Sequence, residues 1–596
     1  MQRFSFSIQT GILSILIITA GAFMLFSAYE DAPIQNEPLT LISGYSILRH
    51  QDAHFNPTEP LAPQMLSSVP LLFKKNTFDG ASVLYMRISS ILLTLLLIAF
   101  IYHWAQELVG RWWGLLPAFL ISFSPLVLAH GHYGTNIIAG VVSGTIALRY
   151  CIQFLTDQSK KNLIISGVAF GIAQACSFGN LILIPYSAMI ALLYAIIFIS
   201  GKYRQSTLWE QYKKLVHHCT FLLLHMLLII GIGYAFVVYP IYQFGILHYP
   251  HEDQIHNTET ILQKQGPTTL SSLTLTTTQS TLLRPFGLYL FGLTTTQQSP
   301  NENIFFLGKL SAHVTPLAPF ISYAMKETLP ALFLVAIAGI LGLLRILWAT
   351  TGGFKKISLK MYEYLTISFS EFALIIFIFL YTTALLLMPR GIDASRILPL
   401  VPPLYIIAGL SLRKWFSTQQ SSIIISTRER ILKKMHELFN TWVKISIVSA
   451  CALWLIIEIS ITAPFFLSYF NELSGGSEKG YKQSVRSNYD LGQDLTRLAL
   501  WVSTNLEPEE KIALDYFGDV DPVEYIHNQY VPWNSAAGNP KNENIGWFAV
   551  SVTNLQEGRA SLSPDVVRKA SDEYLWLTSP DEPFTRAGTS IFIYKL

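Results

Sequence analysis

"VLYMRISSILLTLLLIAFIYHW", Val83 to Trp104, carries one charged residue, Arg87, in a run of 22. At 1.5 Å of rise per helical residue that run spans about 33 Å, the depth of a bilayer's hydrocarbon core. About ten more stretches of the chain read the same way. They are Gln9–Ala28, Trp113–Ala129, Thr135–Phe154, Leu163–Phe178, Leu181–Ile199, Thr220–Leu247, Leu329–Trp348, Phe372–Met388, Ile397–Leu412 and Ser446–Ala463. Composition agrees: 51% of the 596 residues are apolar and 13% charged, with a mean hydropathy of +0.39. A polytopic α-helical membrane protein of about eleven spans is expected, embedded in the lipid bilayer.

Short cytoplasmic loops are enriched in Lys and Arg, and that bias orients the chain. Lys160/Lys161, Lys202/Arg204/Lys213/Lys214, Lys355/Lys356/Lys360 and Arg413/Lys414/Arg428/Arg430/Lys433/Lys434 all fall on one side if the amino terminus is inside and the span count is odd. The opposite, extracytoplasmic side then receives a first loop (29–82), a long loop (248–328) and everything after residue 463. Gln9–Ala28 reads as an uncleaved span, because Phe26-Ser27-Ala28 lacks the small residue that cleavage wants three positions before the cut. The expected location is an inner, plasma-type bacterial membrane.

The net charge of +3 reflects loop asymmetry, and no basic arm points to nucleic acid. Cys151, Cys176, Cys219 and Cys451 lie in or beside apolar runs without metal-ligand spacing, so neither disulfides nor a structural zinc site is expected. Walker and GxGxxG motifs are absent as well, which removes sequence support for nucleotide-driven transport or redox chemistry. A transporter or flippase would fit the span count, but no paired broken helices in repeats can be read.

The first loop is long for a connection and is stiffened by Pro33, Pro38, Pro57, Pro60, Pro63 and Pro70. It carries Glu30, Asp31, Glu37, Asp52, Glu59 and Asp79. Carboxylates held at a membrane surface suit deprotonation of a hydroxyl or support of developing positive charge. A solvated acidic loop on the outer side is the plainer account.

"NEPLTLISGYSIL", Asn36–Leu48, resembles the Asp-Glu-Pro-x-His-x-x-x-Gly-Tyr-x-x-Leu loop of lipid-carrier-dependent glycosyltransferases, the family 39 and protein-mannosyltransferase-like group of GT-C architecture. "NPTEPLAPQMLSSVPLL", "SPLVLAHGHYGTN" and "RILPLVPPLYIIAGL" are similar to that group's next motifs, in order. "LSYFNELSGGSEKGY", "SNYDLGQDL", "YFGDVDP", "GWFAVSVTNL" and "TSIFIYKL" resemble the carboxy-terminal region of one bacterial branch. The resemblance implies transfer of a sugar from a polyprenyl-phosphate donor to an extracytoplasmic glycan, lipid or protein acceptor.

Carried over position by position, the resemblance puts Asn36 where the family has its catalytic Asp, Thr40 at the motif's His and Asn136 at a second acidic position. An amide cannot accept a proton near neutral pH, so the base must be elsewhere. Glu37, kept from the motif, and Glu59, standing at a family His position, are the candidate catalytic carboxylates; Asp31 is a weaker one. For the donor phosphate the candidates are Arg396, which matches the family's Arg, and Arg87, Lys326 and His130 near outer helix ends. No cofactor is required, and the amides at the acidic positions speak against a tightly held divalent cation, which some family members use. A non-catalytic descendant that binds carrier lipid or an envelope partner is the alternative reading.

The tail (464–596) is expected to form a small α/β domain. Leu495, Leu498, Val502 and Leu506 mark one amphipathic helix, Asp490 and Gln493 fit a capping box, and "KIALDYFG", "GWFAVSV" and "TSIFIYKL" fit strands. Asp490, Asp494, Asp519 and Asp521 are read as caps and turns ahead of a sugar or cation site. "TTLSSLTLTTTQSTLL" in the long loop reads as a flexible or partly stranded linker.

Overall fold

The computed structural model describes residues 7–73, 80–202, 207–265, 268–297, 303–350, 368–388, 391–417, 427–580 and 582–596. Lys355, Lys356, Lys360, Arg204 and Asp79 lie outside them. Among the described residues, eight helices are long and apolar enough to cross a membrane. Two bent helix pairs pass the same test only when taken together, Leu115–Ser122 with Pro125–His132 (64°) and Ala318–Lys326 with Leu329–Arg345 (119°), the geometry of a broken span or a re-entrant loop. The remaining expected span corresponds to Lys160–Cys176, a 17-residue helix packed between Asn136–Thr156 and Leu208–Gly233. The chain is an integral membrane protein.

Bending at the first pair follows from sequence. Phe123 ends one helix, Ser124 caps the next through its hydroxyl on the Val127 N–H, and Pro125 occupies the first turn, where a missing N–H does no harm. The main apolar core runs through Ile8–Glu30, Gly80–Val109, Asn136–Thr156 and Val401–Ser417.

The Ser/Thr-rich stretch is not a linker. It forms the helix Thr269–Gln279, opened by a reciprocal capping box between Thr268 and Ser271. Thr274, Thr276, Thr277 and Thr278 return their hydroxyls to carbonyls four residues back, so the polar side chains satisfy the helix rather than compete with it. That helix packs on Arg284–Gln297. The long segment also contributes a hairpin, β1 (Ile304–Phe306) and β2 (Lys309–Ser311).

The tail holds β3 (Ile512–Asp515), β4 (Tyr530–Pro532), β5 (Trp547–Ser551), β6 (Ser561–Leu562), β7 (Thr585–Ala587) and β8 (Ile591–Lys595). Five of these make one sheet in the order β4-β3-β5-β8-β7, with β3 parallel to both neighbours and β8 antiparallel to both of its own. Both faces are covered. Ile591 and Ile593 pack with Leu495, Leu498 and Val502 of the helix Leu495–Asn505, while Phe592 and Tyr594 pack on the opposite face. This is why "IFIY" reads as a continuous apolar run. The three strand stretches and the amphipathic helix form as expected. The capping box at Asp490 does not: the helix begins at Leu495, Gln493 turns back to the Tyr489 carbonyl, and Asp490 receives Gly492 and Thr553.

Strand β6 joins β2 in a parallel pair, so the hairpin of the long segment is knitted to the tail. The first loop is tied to it as well, through Ala32 N–H to the Gln493 carbonyl (2.8 Å) and Gln35 N–H to the Leu491 carbonyl (3.0 Å). First loop, long segment and tail therefore pack against one another.

Candidate active site

The first helix ends at Glu30, and the chain turns through Asp31–Gln35 into the helix Glu37–His50. Asn36 makes that turn in the left-handed region (φ +68°), which asparagine tolerates better than most side chains. Its carbonyl accepts from the Thr40 N–H (3.0 Å) and hydroxyl (2.8 Å). Its N–H donates to Asp519 Oδ2 (2.7 Å), so the tail places a carboxylate against this turn.

Glu37 is fully enclosed. Oε1 accepts from Gly134 N–H (2.7 Å) and Arg87 Nε (3.1 Å), and Oε2 from Ile34 N–H (2.9 Å) and Arg87 Nη2 (2.7 Å). Four donors fill the acceptor positions of a carboxylate, which leaves none open to an incoming hydroxyl. Arg87 is equally committed: beyond Glu37 it donates to the carbonyls of Ala28 (2.8 Å), Asp31 (2.8 Å) and Ala32 (2.7 Å). All five of its N–H groups are engaged, and it is buried, so it is not a free cation for a phosphate. The pair is a strut that holds the first loop on the second span.

Asp31 is a second buried junction. Oδ2 accepts from the Tyr133 hydroxyl (2.7 Å) and lies 3.2 Å from His132 Nε2, while Oδ1 accepts from Arg497 Nη1 (2.9 Å). Burial alone would lift this carboxyl; the His132 hydrogen bond and the charge of Arg497 outweigh it and hold Asp31 below the usual carboxylate range. Arg497 also reaches Asp494 Oδ1 (2.6 Å), whose other oxygen takes the N–H groups of Thr589 (2.9 Å) and Ser590 (2.8 Å). Asp490 and Asp494 are thus internal fasteners of the tail. Asp521 caps Val523 locally, and Asp519 faces Asn36.

Glu59 is placed differently. Its loop is clamped by the Gln64 amide, which donates to the carbonyls of Asn56, Glu59 and Pro60. The carboxylate reaches solvent from a recess and accepts a short hydrogen bond from the Asn136 amide, at the first residue of the helix Asn136–Thr156. Protein crowding around Glu59 raises its carboxyl above the ordinary glutamate value; the Asn136 hydrogen bond favours the charged form and offsets part of the rise. One lone-pair side of this carboxylate is held and the rest stays accessible.

Arg396 lies in the tight turn Ala394–Leu400, which packs against Pro125–His132 and Asn136–Thr156. Asn488 of the tail fixes the turn's entry, accepting from Ala394 N–H (3.0 Å) and donating to the Ile392 carbonyl (3.1 Å). Arg396 Nη1 is buried with no hydrogen-bond partner. Lys326, by contrast, donates to the carbonyls of Leu467 (2.6 Å), Tyr469 (3.2 Å) and Asn488 (2.5 Å), which engages all three of its N–H groups. Its role here is to pin the tail to the bent helix pair. His130 is buried within Pro125–His132. Of the four cations expected at a phosphate, Arg396 retains an open buried donor, and Arg87 and Lys326 are internally matched.

Sequence reading missed the roles of His132, Tyr133, Gly134 and Arg497. The first three sit inside "SPLVLAHGHYGTN", the motif already picked out for His130 and Asn136, and Gly134 is needed there: a Cβ would lie 2.3 Å from Met86 Cε. Among the described residues no three His, Cys, Asp or Glu side chains converge as a metal-holding group.

A family model described as dolichyl-phosphate-mannose-protein mannosyltransferase matches residues 60–230, a stretch that contains Arg87, His130 and Asn136. The match supports, over that stretch, the resemblance to lipid-carrier-dependent glycosyltransferases carried by the motifs. No curated protein sequence matches the chain. Among solved structures, it is similar to ArnT from Cupriavidus metallidurans bound to undecaprenyl phosphate, with 12% identity over 91% of this chain and 93% of that one and a TM-score of 0.41. It is also similar to the apo Archaeoglobus fulgidus oligosaccharyltransferase, with 12% identity, 94% and 72% coverage and a TM-score of 0.44. Likeness at this level bears on neither activity nor substrate.

Proposed function

We propose that this protein is an integral-membrane glycosyltransferase of GT-C type that moves a sugar from a polyprenyl-phosphate donor to an extracytoplasmic acceptor. The single observation that carries the reading is Glu59, an accessible carboxylate oriented by the Asn136 amide, next to a polypeptide stretch that matches a lipid-carrier mannosyltransferase family. The amide at Asn136 does not abolish chemistry in this reading. It orients a relocated acid.

In the reaction, a Glu59 oxygen takes the proton of the acceptor hydroxyl as the acceptor oxygen forms its bond to the anomeric carbon. The bond from that carbon to the carrier phosphate breaks, and the phosphate leaves with the electron pair. Arg396, with an unmatched N–H, meets the charge that develops on the leaving phosphate. Glu37, Arg87 and Asp31 keep the loop in place and touch neither substrate. The amino terminus is cytoplasmic and the tail extracytoplasmic, in a bacterial inner membrane; the basic-loop asymmetry supports this.

A second reading, a non-catalytic binder of carrier lipid, draws on Asn36: the family's acid position holds an amide, and its neighbour Glu37 is sealed. Transfer from a panel of radiolabelled polyprenyl-phosphate sugars to envelope extract separates the two. Turnover by wild type, lost in Glu59→Gln and preserved per folded molecule in Glu37→Gln, supports the enzyme. Carrier binding without turnover from any donor supports the binder.

A further inference from the structure

The tail and the hairpin β1–β2 border an open cleft of about 690 Å³ to which none of Glu37, Glu59, Asn136 or Arg396 contributes. Its volume lies within the range of about 300–1,000 Å³ usual for small-molecule sites. Two distant segments build it: Asn303 and Leu310 from the long interhelical segment form one wall, held by the pairing of β2 with β6. The opposite side comes from the end of β3, the helix Val552–Arg559 and the turn around Tyr574.

The chemistry of the lining narrows the occupant. Asp515 accepts from Asn554 Nδ2 (2.6 Å) and from the Tyr574 hydroxyl (2.6 Å), which sets an acid, an amide and a phenol side by side. Both guanidiniums are largely committed to neighbouring acids and carbonyls. Arg486 pairs with Glu557 through Nε (2.5 Å) and Nη2 (3.1 Å). Arg568 donates to the carbonyls of Glu557 (2.7 Å) and Ala560 (3.0 Å) and reaches Glu573 (3.4 Å), while its Nε is buried with no partner. Asp572 adds a further carboxylate. An anion therefore meets acidic groups that outnumber the cations, and the lining is mixed, with Leu310 and Ala536 set among the polar side chains, so a wholly apolar ligand would leave those polar groups unmatched. A polyhydroxyl ligand with apolar C–H faces fits both conditions, because its hydroxyls can donate to a carboxylate or to the Tyr574 phenol oxygen and accept from the second Asn554 amide N–H or the Arg568 Nε–H without adding charge.

We propose that this cleft binds a neutral saccharide, holding a short glycan on the tail at a site separate from Glu59. The assignment goes beyond sugar transfer and is independent of it, since it concerns a cleft that contains no residue placed in the transfer chemistry.

The test uses the full chain in nanodiscs, because glycosidic detergents would compete. Lactose, maltose and N,N′-diacetylchitobiose are titrated, with inorganic phosphate and glucose 1-phosphate as anionic probes, and binding is read by Trp fluorescence and saturation-transfer NMR. Trp576, whose Nε1 donates to the carbonyl of the cleft residue Ser535 (3.1 Å), is a built-in reporter. The expected result is saturable binding of at least one neutral disaccharide, weakened about ten-fold or more in Asp515→Asn. The exposed Asp572→Ala, which leaves the sheet intact, is expected to weaken binding as well. Absence of binding for all three disaccharides overturns the proposal. So does affinity unchanged in both variants, or phosphate binding that exceeds saccharide binding. Because the readout is binding, none of these outcomes depends on whether the protein turns over.

Discussion

Replacing Glu37 by Gln separates a structural carboxylate from a chemical one. The wild-type side chain takes four hydrogen bonds, two of them from Arg87, in a fully enclosed position. Glutamine keeps the shape but turns one oxygen into an N–H₂ group. Whichever oxygen is replaced, an Arg87 N–H and a backbone N–H, of Ile34 or Gly134, then face a donor. Arg87 also loses its counter-charge while remaining buried. Breaking one partner of such a pair costs about 3–5 kcal/mol, against a total stability of about 5–15 kcal/mol for typical domains. The assay is thermal melting in nanodiscs at one fixed scan rate, because membrane proteins of this size unfold irreversibly, combined with sugar transfer normalised to folded protein. Glu37→Gln is expected to melt well below wild type and to keep most of its transfer per folded molecule. Arg87→Met should produce a similar loss, and the double variant should lose less than the sum of the two. A Glu37→Gln protein with wild-type melting and transfer reduced by about two orders of magnitude or more would refute the reasoning, since that pattern belongs to a general base.

Glu59→Gln should show the converse: melting close to wild type, as expected for an accessible side chain, with transfer reduced by about 10²–10⁴-fold. Because the Glu59 carboxyl is raised and acts as carboxylate, wild-type transfer should fall as pH drops through a value above the ordinary glutamate range, and a pH–rate profile checks this. Gly44→Ala should destabilise the packing of Glu37–His50 on Leu61–Ser68, since its Cβ would lie 2.0 Å from the Gln64 carbonyl oxygen and backbone would have to move; melting temperature reads the loss. In the tail, burial pushes Asp490 up to about 7. Its raised value means that the folded state holds a proton the unfolded chain has released, so its contribution is full below the unfolded value near 4 and declines as pH rises towards 7. Asp490→Asn should therefore flatten that fall in tail stability, measured by protease resistance from about pH 4 to about pH 8.

Much of the architecture was legible in one chain because the bilayer imposes a length and a composition on every span. Each of the eleven apolar runs is helical in the structure, Trp113–Ala129 as two helices at a 64° bend, and the alternation that marks a strand with one solvated face is absent from "IFIY" because both faces of β8 are covered. Local chemistry was harder to read where one residue type serves two purposes. Threonines that suit strands and linkers form the helix Thr269–Gln279 once their hydroxyls bond to carbonyls one turn back, a choice made by packing on Arg284–Gln297. The candidate acids show the same division. Glu37 and Glu59 look alike in sequence, as acids of one proline-rich loop. The distinction between them comes from groups far along the chain: Arg87 and Gly134 seal the first, and Asn136 orients the second while leaving it open. Sequence determined the apolar runs, three strands and one amphipathic helix of the tail, and the short set of charged candidates, because those follow from local hydropathy and residue type. Which charges are matched and which remain available was decided by tertiary structure, because a carboxylate's reactivity depends on the donors that long-range folding brings within about 3 Å of it.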